Sequence, residues 1–277
     1  MQIDNTTPPD EARKGNRDFW DEVTPLHLKS YNPDQFLEGA PWLPKQMLKE
    51  VGDVNGLSLL HLQCHFGLDT LAWARLGAQV TGVDFSPKAI EAAQDMAKKA
   101  DLPAHFICAD IYKLPEILQG EFDIVFTSIG VLCWLNDLDA WARIIAHFLK
   151  PGGFFYIMEG HPLLTTFDFS FDGESKWTFQ LPYFHNQYPY FWEEETTDYM
   201  DPSYHAKNPT YEWQWTVSDV INAIIRAGLH IDFFNEFGGI DDPVYPGMSK
   251  RKDGLFTFPG MPVELPILFS LKASKEK

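Results

Sequence analysis

The sequence predicts a doubly wound α/β fold: a mostly parallel, seven-stranded sheet with helices on both faces, carrying an aromatic-rich insertion. Three observations predict it. Short apolar runs alternate with helical stripes between residues 57 and 160, the pattern of a parallel sheet with right-handed crossovers. Two more strand-like runs follow a capped helix near the C-terminus, bringing the strands to seven. Between these regions the alternation stops, and from 165 to 215 sixteen of 51 residues are Phe, Tyr or Trp, against 15% in the whole chain.

Residues 1–15 are polar and Pro-containing and read as a mobile start. From 17 to 52 the pattern is helical, and Pro25, Pro33, Pro41 and Pro44 are expected to divide it into short helices, because proline has no N–H to donate inside a helix. "LSLLHL" (57–62) is an apolar strand, after which Leu68, Leu71, Ala72 and Leu76 share one helix face. "AQVTGVDF" (78–85) is the next strand. Ser86 and Pro87 have the form of an N-cap and first helical residue, and Ala89, Ile90, Ala93, Met96, Ala97 and Ala100 make the helix's stripe. "AHFICAD" (104–110) and "FDIVFTS" (122–128) are strands. Asn136 is the expected cap of a helix with Leu138, Trp141, Ala142, Ile145, Phe148 and Leu149 inward, and "KPGG" ends it and launches "FFYIME" (154–159). Thr216 and Asp219 form a capping pair for a helix carrying Val220, Ile221, Ile224 and Ile225. "LHIDFFNEF" and "ELPILFSLKASK" supply the closing strands.

Composition bounds the function. The net charge is −17, and no basic cluster exceeds "KRK" (250–252). Nucleic acid and anionic membranes are thereby disfavoured as partners, since phosphate binding depends on Lys and Arg. A neutral or cationic small molecule is the expected partner. No apolar run approaches the ~20 residues of a membrane helix, and 1–20 has no apolar signal core, so a cytoplasmic protein is expected. Cys64, Cys108 and Cys133 lie far apart in apolar stretches and read as reduced thiols. The histidines have no metal-ligand spacing, and no metal is expected.

The chemistry concentrates in "LLHLQCHFGLDTLAWARLGAQVTGVDFS" (59–86), which reads as strand, tight loop, helix, strand and acid. A dinucleotide loop G-x-G-x-x-G uses its glycines to bring backbone to a pyrophosphate. Here "QCHFGL" fails at all three positions, and bulky Gln63 and His65 would crowd diphosphate oxygens. No P-loop motif is present. A ligand without phosphates, held by loop backbone, fits better. Asp84 ends the second strand, where a carboxylate accepts both hydroxyls of a ribose, and Asp110 ends the third, where it accepts from an adenine amino group. Each has a plain alternative as a charge near a helix N-terminus.

The ordered set "LLHLQCHFGLDT", "VTGVDFS", "FICADIYKLP", "FDIVFTSIGVLCWL" and "LKPGGFFYI" resembles the motif series of class I S-adenosylmethionine-dependent methyltransferases, which have a Rossmann-like fold. It is similar in particular to a bacterial branch whose first motif reads "LQCHFG". The resemblance implies S-adenosyl-L-methionine as cofactor and S-adenosyl-L-homocysteine as product. It implies that backbone around Leu62, Gln63, Cys64 and Gly67 lines the methionine part, that Asp84 holds the ribose and that Phe85 lies against the adenine. It further implies Asp110 and Ile111 at the adenine edge and Thr127, Ser128 and Ile129 on the sulfonium side. The chain departs from the family pattern at His61, where an acidic residue is usual, and at Gln63 and His65, where glycines are usual. A left-handed backbone at a non-glycine residue costs about 1–2 kcal/mol, so the loop path either differs or carries strain.

On this reading residues 1–52 form an N-terminal helical cap, 53–162 the cofactor-binding core, 163–215 an aromatic-rich substrate cap, and 216–277 a helix and strands completing the sheet. Methyl transfer is an in-line displacement in which alignment does most of the work, with a general base assisting. His161, just past the fifth strand in "MEGHP", is the first candidate for that base, since an unperturbed imidazole takes a proton near pH 6.5. Glu159 is expected to orient it or to bind a substrate amine. In many related enzymes a segment before the first strand folds over the cofactor, which implies a closing role for Trp20, His27 or Tyr31. "YFWEEETTDYM" and "TYEWQWT" read as a hairpin, with Glu193 to Glu195 solvated. Two other readings stand beside this one: a non-catalytic S-adenosylmethionine-binding regulator and a nicotinamide-dependent oxidoreductase.

Overall fold

The computed structural model describes residues 2–168, 176–185, 187–193, 200–201, 203–245, 247–261 and 263–277. The chain opens with β1 (Gln2–Ile3) and α1 (Pro9–Ser30), followed by α2 (Pro33–Leu37) and α3 (Lys45–Val51). The predicted mobile start and the predicted break at Pro25 are both corrected: α1 is one helix of 22 residues that runs through Pro25. A proline inside a helix costs about 3 kcal/mol. That cost is met by packing on either side of it, where Val23, Thr24 and His27 are buried. Pro33 and Pro44 do mark helix starts, as the first residue of α2 and the N-cap of α3.

The core then alternates as predicted. It comprises β2 (Ser58–Leu62), α4 (Leu68–Arg75), β3 (Gln79–Asp84), α5 (Pro87–Ala100), β4 (Ala104–Cys108), α6 (Leu114–Ile117), β5 (Phe122–Thr127), α7 (Leu138–Phe148) and β6 (Leu149–Gly160). The Ser86 hydroxyl caps α5 by accepting from the Ala89 N–H. At α7 the cap is Asp137, which accepts from the Ala140 N–H, and not Asn136, whose side-chain oxygen accepts from Arg13 instead. Beyond β6 lie β7 (Phe167–Asp168), β8 (Lys176–Phe179), β9 (Tyr190–Trp192) and β10 (Thr210–Glu212), then α8 (Val217–Arg226) with the predicted Thr216–Asp219 capping box. The chain ends with β11 (His230–Phe237), β12 (Ser249–Lys250), β13 (Phe256–Thr257) and β14 (Leu268–Ser274).

The main sheet has seven strands in the order β11-β14-β6-β5-β2-β3-β4. From β4 to β6 all pairings are parallel, and β14 runs antiparallel between β6 and β11. β2 comes first in the chain among the strands of this sheet and is the middle one of its five parallel strands, so strand order reverses between β2 and β5. The carboxyl edge at such a switch point is where ligands of these sheets bind. Side chains alternate across the sheet: Leu59 joins the core cluster with α3, α4 and α5, and Leu60 and Leu62 join the one with α7 and α8. Among the described residues no helix is long and apolar enough to cross a membrane. Nor, among them, does any group of three His, Cys, Asp or Glu side chains have the arrangement to hold a metal ion.

The predicted hairpin forms between β9 and β10, and β1 adds to the other side of β9 to give a three-stranded sheet. Glu194 and Glu195 lie outside the described residues; Glu193 is exposed. This small sheet is fastened to α1 by Asn16, whose amide donates to the Tyr211 carbonyl at 2.7 Å and accepts from the Tyr211 N–H at 2.8 Å. Gly15 beside it has a packing reason, since a Cβ there would stand 2.9 Å from the Tyr211 ring. Asn16 is fully buried, and its removal strands two backbone groups, each worth about 1–3 kcal/mol when unsatisfied. Asn16→Ala is therefore expected to lower stability by about 2–6 kcal/mol. Hydrogen exchange at β9 and β10 should accelerate ahead of the core strands; unchanged exchange there would show that the clamp is not what holds the small sheet.

Candidate functional site at the carboxyl edge of the sheet

The loop joining β2 to α4 keeps the glycine-type path without the glycines. Gln63, His65 and Gly67 all have positive φ, at 59°, 50° and 79°. The loop therefore carries strain at both non-glycine positions. Only position 67 lacks room for a side chain: a Cβ there would come within 2.7–2.9 Å of the Phe106 ring and the Ala93 methyl. The loop is tied down by three bonds. Cys64 N–H donates to the Val83 carbonyl at 2.9 Å, His65 N–H to the Asp84 carboxylate at 2.8 Å, and the Gln63 amide to the Val131 carbonyl at 3.2 Å.

Asp84 is the hub of this arrangement. Its other oxygen accepts from the Ser86 N–H at 2.9 Å, and the Phe85 N–H also bonds to the carboxylate, which leaves it one lone-pair position. Burial pushes its carboxyl up to about 6, only partly opposed by the N–H groups it accepts from. One strand over, Asp110 accepts from the Tyr112 N–H at 3.0 Å and from Arg13 Nε at 2.9 Å. The two strand ends are adjacent, joined by Ala109 N–H donating to the Asp84 carbonyl. Phe85 is half-buried beside them, whereas Leu62 and Ile111 are core residues under the loop.

Helix α1 crosses above this edge. Arg13 reaches Asp110, Asp21 accepts from the Ser86 hydroxyl, and Trp20 packs edge-on against His65 and Trp134 with ring centroids 5.0 and 5.2 Å away. His27 packs on His65, and Tyr31 on Phe66, each at 5.5 Å. The structure thus gathers Trp20, His27 and Tyr31 over the loop. Burial, followed by His27 nearby, holds the His65 imidazole well below its ordinary value, so it is neutral.

Where the acidic residue is missing, His61 forms a neutral network. Its Nδ1 lies 2.7 Å from the Thr70 hydroxyl and its Nε2 lies 3.0 Å from the Ser128 hydroxyl, with burial pushing its pKa down to about 3. Asp69, on the first turn of α4, also bonds to Ser128 and accepts from the Trp42 indole at 2.8 Å; burial raises its carboxyl. Thr127 is buried with its hydroxyl unpartnered among the described residues, and Ile129 is half-buried.

The two catalytic candidates need correction. Glu159 is buried, and its carboxylate accepts from the N–H groups of Gly130, Val131, Leu132 and Gly160 at 2.6–3.1 Å, two on each oxygen. Three of its lone-pair positions fix the turn after β5 and the fourth is taken by Gly160, so it neither orients His161 nor has capacity for a substrate amine. His161 Nδ1 accepts from the Leu163 N–H at 3.1 Å, which leaves Nε2 to donate to Glu236 at 2.9 Å. Burial lowers its pKa despite Glu236, and no lone pair of the ring is free to take a proton. Sequence reading passed over Arg13, Asp69, Trp134, Glu212 and Tyr245. Of these only Asp69, two residues past Gly67 at a helix start, carries a local signal. Two surface depressions, of 440 Å³ beside the end of α5 and 340 Å³ beside α3, touch none of these groups.

Residues 60–157 match the family model described as a methyltransferase domain. The ubiquinone biosynthesis O-methyltransferase of Methylocella silvestris is 27% identical over 203 residues, covering 72% of this chain and 68% of that protein. Its namesake from Rhodopseudomonas palustris (strain BisB5) is 30% identical over 166 residues, covering 55% and 64%. The chain spans between about half and two thirds of the length of the curated relatives it matches. In three dimensions it is similar to an S-adenosylmethionine-dependent methyltransferase from Mesorhizobium loti, with a TM-score of 0.57 and 23% identity over 86% of this chain and 99% of that one. It is also similar to magnesium protoporphyrin IX methyltransferase from Synechocystis with bound S-adenosylhomocysteine, with a TM-score of 0.52 and 14% identity over 96% and 100%. At these identities the structural likeness is one of fold.

The loop generates a stability prediction. Gly67→Ala adds a left-handed penalty of about 1 kcal/mol and a clash worth about 1–3 kcal/mol. Urea denaturation should therefore report a loss of roughly 2–4 kcal/mol. A loss below about 0.5 kcal/mol would mean that the loop relaxes freely and that its tight path is not imposed by Phe106 and Ala93.

Proposed function

We propose that this chain, whose core is a class I S-adenosylmethionine-dependent methyltransferase domain, moves the methyl group of S-adenosylmethionine to a small, neutral or cationic acceptor. One observation carries the reading: a left-handed loop anchored on Asp84, with Asp110 one strand over and α1 roofing both. The relatives named O-methyltransferases support a hydroxyl oxygen as the acceptor atom. The free, widely separated cysteines favour a cytoplasmic setting.

The residues present fit the cofactor. Gln63 Oε1 and Thr127 Oγ1 are buried without a partner among the described residues, so polar groups of a ligand have somewhere to bond. Asp84 keeps a lone-pair position for a ribose hydroxyl, and Asp110, which accepts from Arg13 and the Tyr112 N–H, is the residue we assign to the adenine edge. Gln63 and His65 side chains stand where phosphates would have to pass, which a phosphate-free nucleoside does not require. When bound, the cofactor supplies a methyl group already activated on a sulfonium. The chain's task is then to align and to exclude water. Trp20, His27, Tyr31 and Trp134 wall the loop on the solvent side, and aromatic faces suit a cationic sulfur. Asp69, bonded to Ser128, is the carboxylate we assign to the methionine ammonium, in place of the acid that His61 displaces.

Calorimetric titration with S-adenosylhomocysteine tests this. Binding is expected in the micromolar range above pH 7 and no binding up to about millimolar would end the reading. The sign with pH follows from Asp84. Hydroxyl donors need the ionised carboxylate, so affinity should fall as the pH drops through about 6, by about tenfold at pH 5. In the ligand-free fold the same shift acts the other way. A carboxyl raised from 3.8 to about 6 contributes stability fully below 3.8 and loses it as the pH rises through about 6. Asp84→Ala should weaken binding and flatten its pH dependence; a variant that keeps both would remove Asp84 from the site.

A further inference from the structure

We propose that Glu212 receives the acceptor's proton in a chamber between β10, the turn after β5 and Tyr245, and that the acceptor is a neutral aromatic hydroxyl compound. This rests on the methyltransferase reading above. β10 ends at Glu212, and the next residue, Trp213, donates its N–H to the Cys133 carbonyl at 2.7 Å. That bond sets Glu212 beside the turn whose N–H groups Glu159 fixes, and both carboxyl groups lie near the Cys133 thiol.

Strand alternation gives the direction of the side chain. Tyr211 packs on Gly15 of α1 and on Phe191, so Glu212 lies on the opposite face with its register partner Tyr190 and with Thr210. Tyr190 and Thr210 are buried, which makes this an interior face, yet Glu212 remains only half-buried. A residue on an interior face that keeps accessible surface borders open space. Tyr245, which lies near the same Cys133 and Glu159, sets its hydroxyl over Gly160, where a Cβ would collide with it, and packs its ring on Phe258 at 6.0 Å. Gly160 thus has a reason beyond the strand end: it admits Tyr245 to the carboxyl edge.

Among the described residues the ionisable groups around the chamber are Glu212 on β10, Cys133 on the turn, Glu159 on β6, Tyr245, and Tyr31 at the C-cap of α1. Glu159 is already saturated. Burial, with Glu212 and Glu159 nearby, raises the Cys133 thiol, and burial raises the Tyr245 phenol well above its usual range. Both stay protonated at neutral pH. Glu212 stands apart: burial pushes its carboxyl up to about 7, while the Thr210 and Trp192 side chains lie against it and no cation pairs with it among the described residues. A base matched to the working pH is the effective kind.

The chemistry then selects the acceptor. An ammonium held by this carboxylate would have no lone pair to offer, and an anionic acceptor would be repelled. A hydroxyl donates to the carboxylate and gains nucleophilicity by doing so. As its oxygen forms the new bond to the methyl carbon, its proton passes to Glu212, and the electron pair of the broken carbon–sulfur bond stays on sulfur. Aromatic walls favour a flat ring.

The test uses the full chain and 4-fluorocatechol as probe. Its binding to the S-adenosylhomocysteine-loaded protein is followed by ¹⁹F NMR, and its methylation by S-adenosylhomocysteine release. Wild type should bind the probe and methylate it, with a rate that climbs about tenfold per pH unit to a plateau above pH 7. Glu212→Gln should keep S-adenosylhomocysteine affinity and keep probe binding within about threefold, while turnover falls roughly 100-fold and the pH slope disappears. Glu193→Gln, on the same small sheet, should match wild type. Turnover of Glu212→Gln within twofold of wild type, no probe binding at about 10 mM, or binding without methylation each overturns the proposal. Failure of S-adenosylhomocysteine itself to bind would instead overturn the methyltransferase reading.

Discussion

The left-handed backbone at Gln63 and His65 is the constraint on which the site depends. Two non-glycine residues in that region cost about 2–4 kcal/mol together, a large share of the roughly 5–15 kcal/mol by which a domain is stable. The strain persists because the turn is held from several sides. Asp84 supplies a charge-assisted bond to the His65 N–H, the stronger kind of hydrogen bond. Val83 and Val131 carbonyls hold Cys64 and Gln63, and the rings of Trp20, His27 and Phe66 pack against His65. Glycines would have made the turn cheaper but would have left it nothing to pack with. Here the side chains at 63 and 65 anchor what lies above and beside the loop.

What lies above is α1, and its attachments are the same groups that define the crevice. Arg13 bonds Asp110, Asp21 bonds the Ser86 hydroxyl beside Asp84, and Trp20 and His27 bracket His65. The helix is therefore not an independent cap resting on the sheet. It reads both acidic strand ends at once, and its own continuity through Pro25 is sustained by that packing. Asn16 extends the same coupling to β10 and so to the turn after β5. A ligand at the carboxyl edge would touch a set of elements that already restrain one another, which suits a reaction whose main requirement is alignment.

The sheet was legible because its signals are local. Alternating apolar runs, the Ser86–Pro87 start and the Thr216–Asp219 box each act within a few residues, and the strands they delimit form. The N-terminal helix was not legible, since proline rules describe an isolated helix and Pro25 is carried by tertiary contacts. Asn136 lost the cap to Asp137 for a similar reason: Arg13, 123 residues away, occupies it. The strand-end logic found the right edge for Glu159 and His161 and misjudged their availability. Their partners come from the turn after β5 and from β11, and spacing along the chain does not reveal who arrives there. Glu212 was hidden in the same way, because its burial is produced by pairing with Tyr190 and docking on Cys133, both remote in sequence.

His61 illustrates how a motif can change its letters and keep its electrostatics. An acid at the end of β2 would face Thr70 and Ser128 as a buried charge. The neutral imidazole bonds the same two hydroxyls without the desolvation cost of an ion, and burial keeps it neutral. The carboxylate proposed to serve in place of that acid is Asp69, at the first turn of α4, where the helix N-terminus favours a negative charge and where Ser128 and the Trp42 indole can hold it. Ser128 bonds both His61 and Asp69, so the hydroxyl links the strand to that carboxylate. The first motif thus joins a left-handed backbone turn to a neutral imidazole and a nearby carboxyl group, and the side chains at 61, 63, 65 and 69 have to be read together.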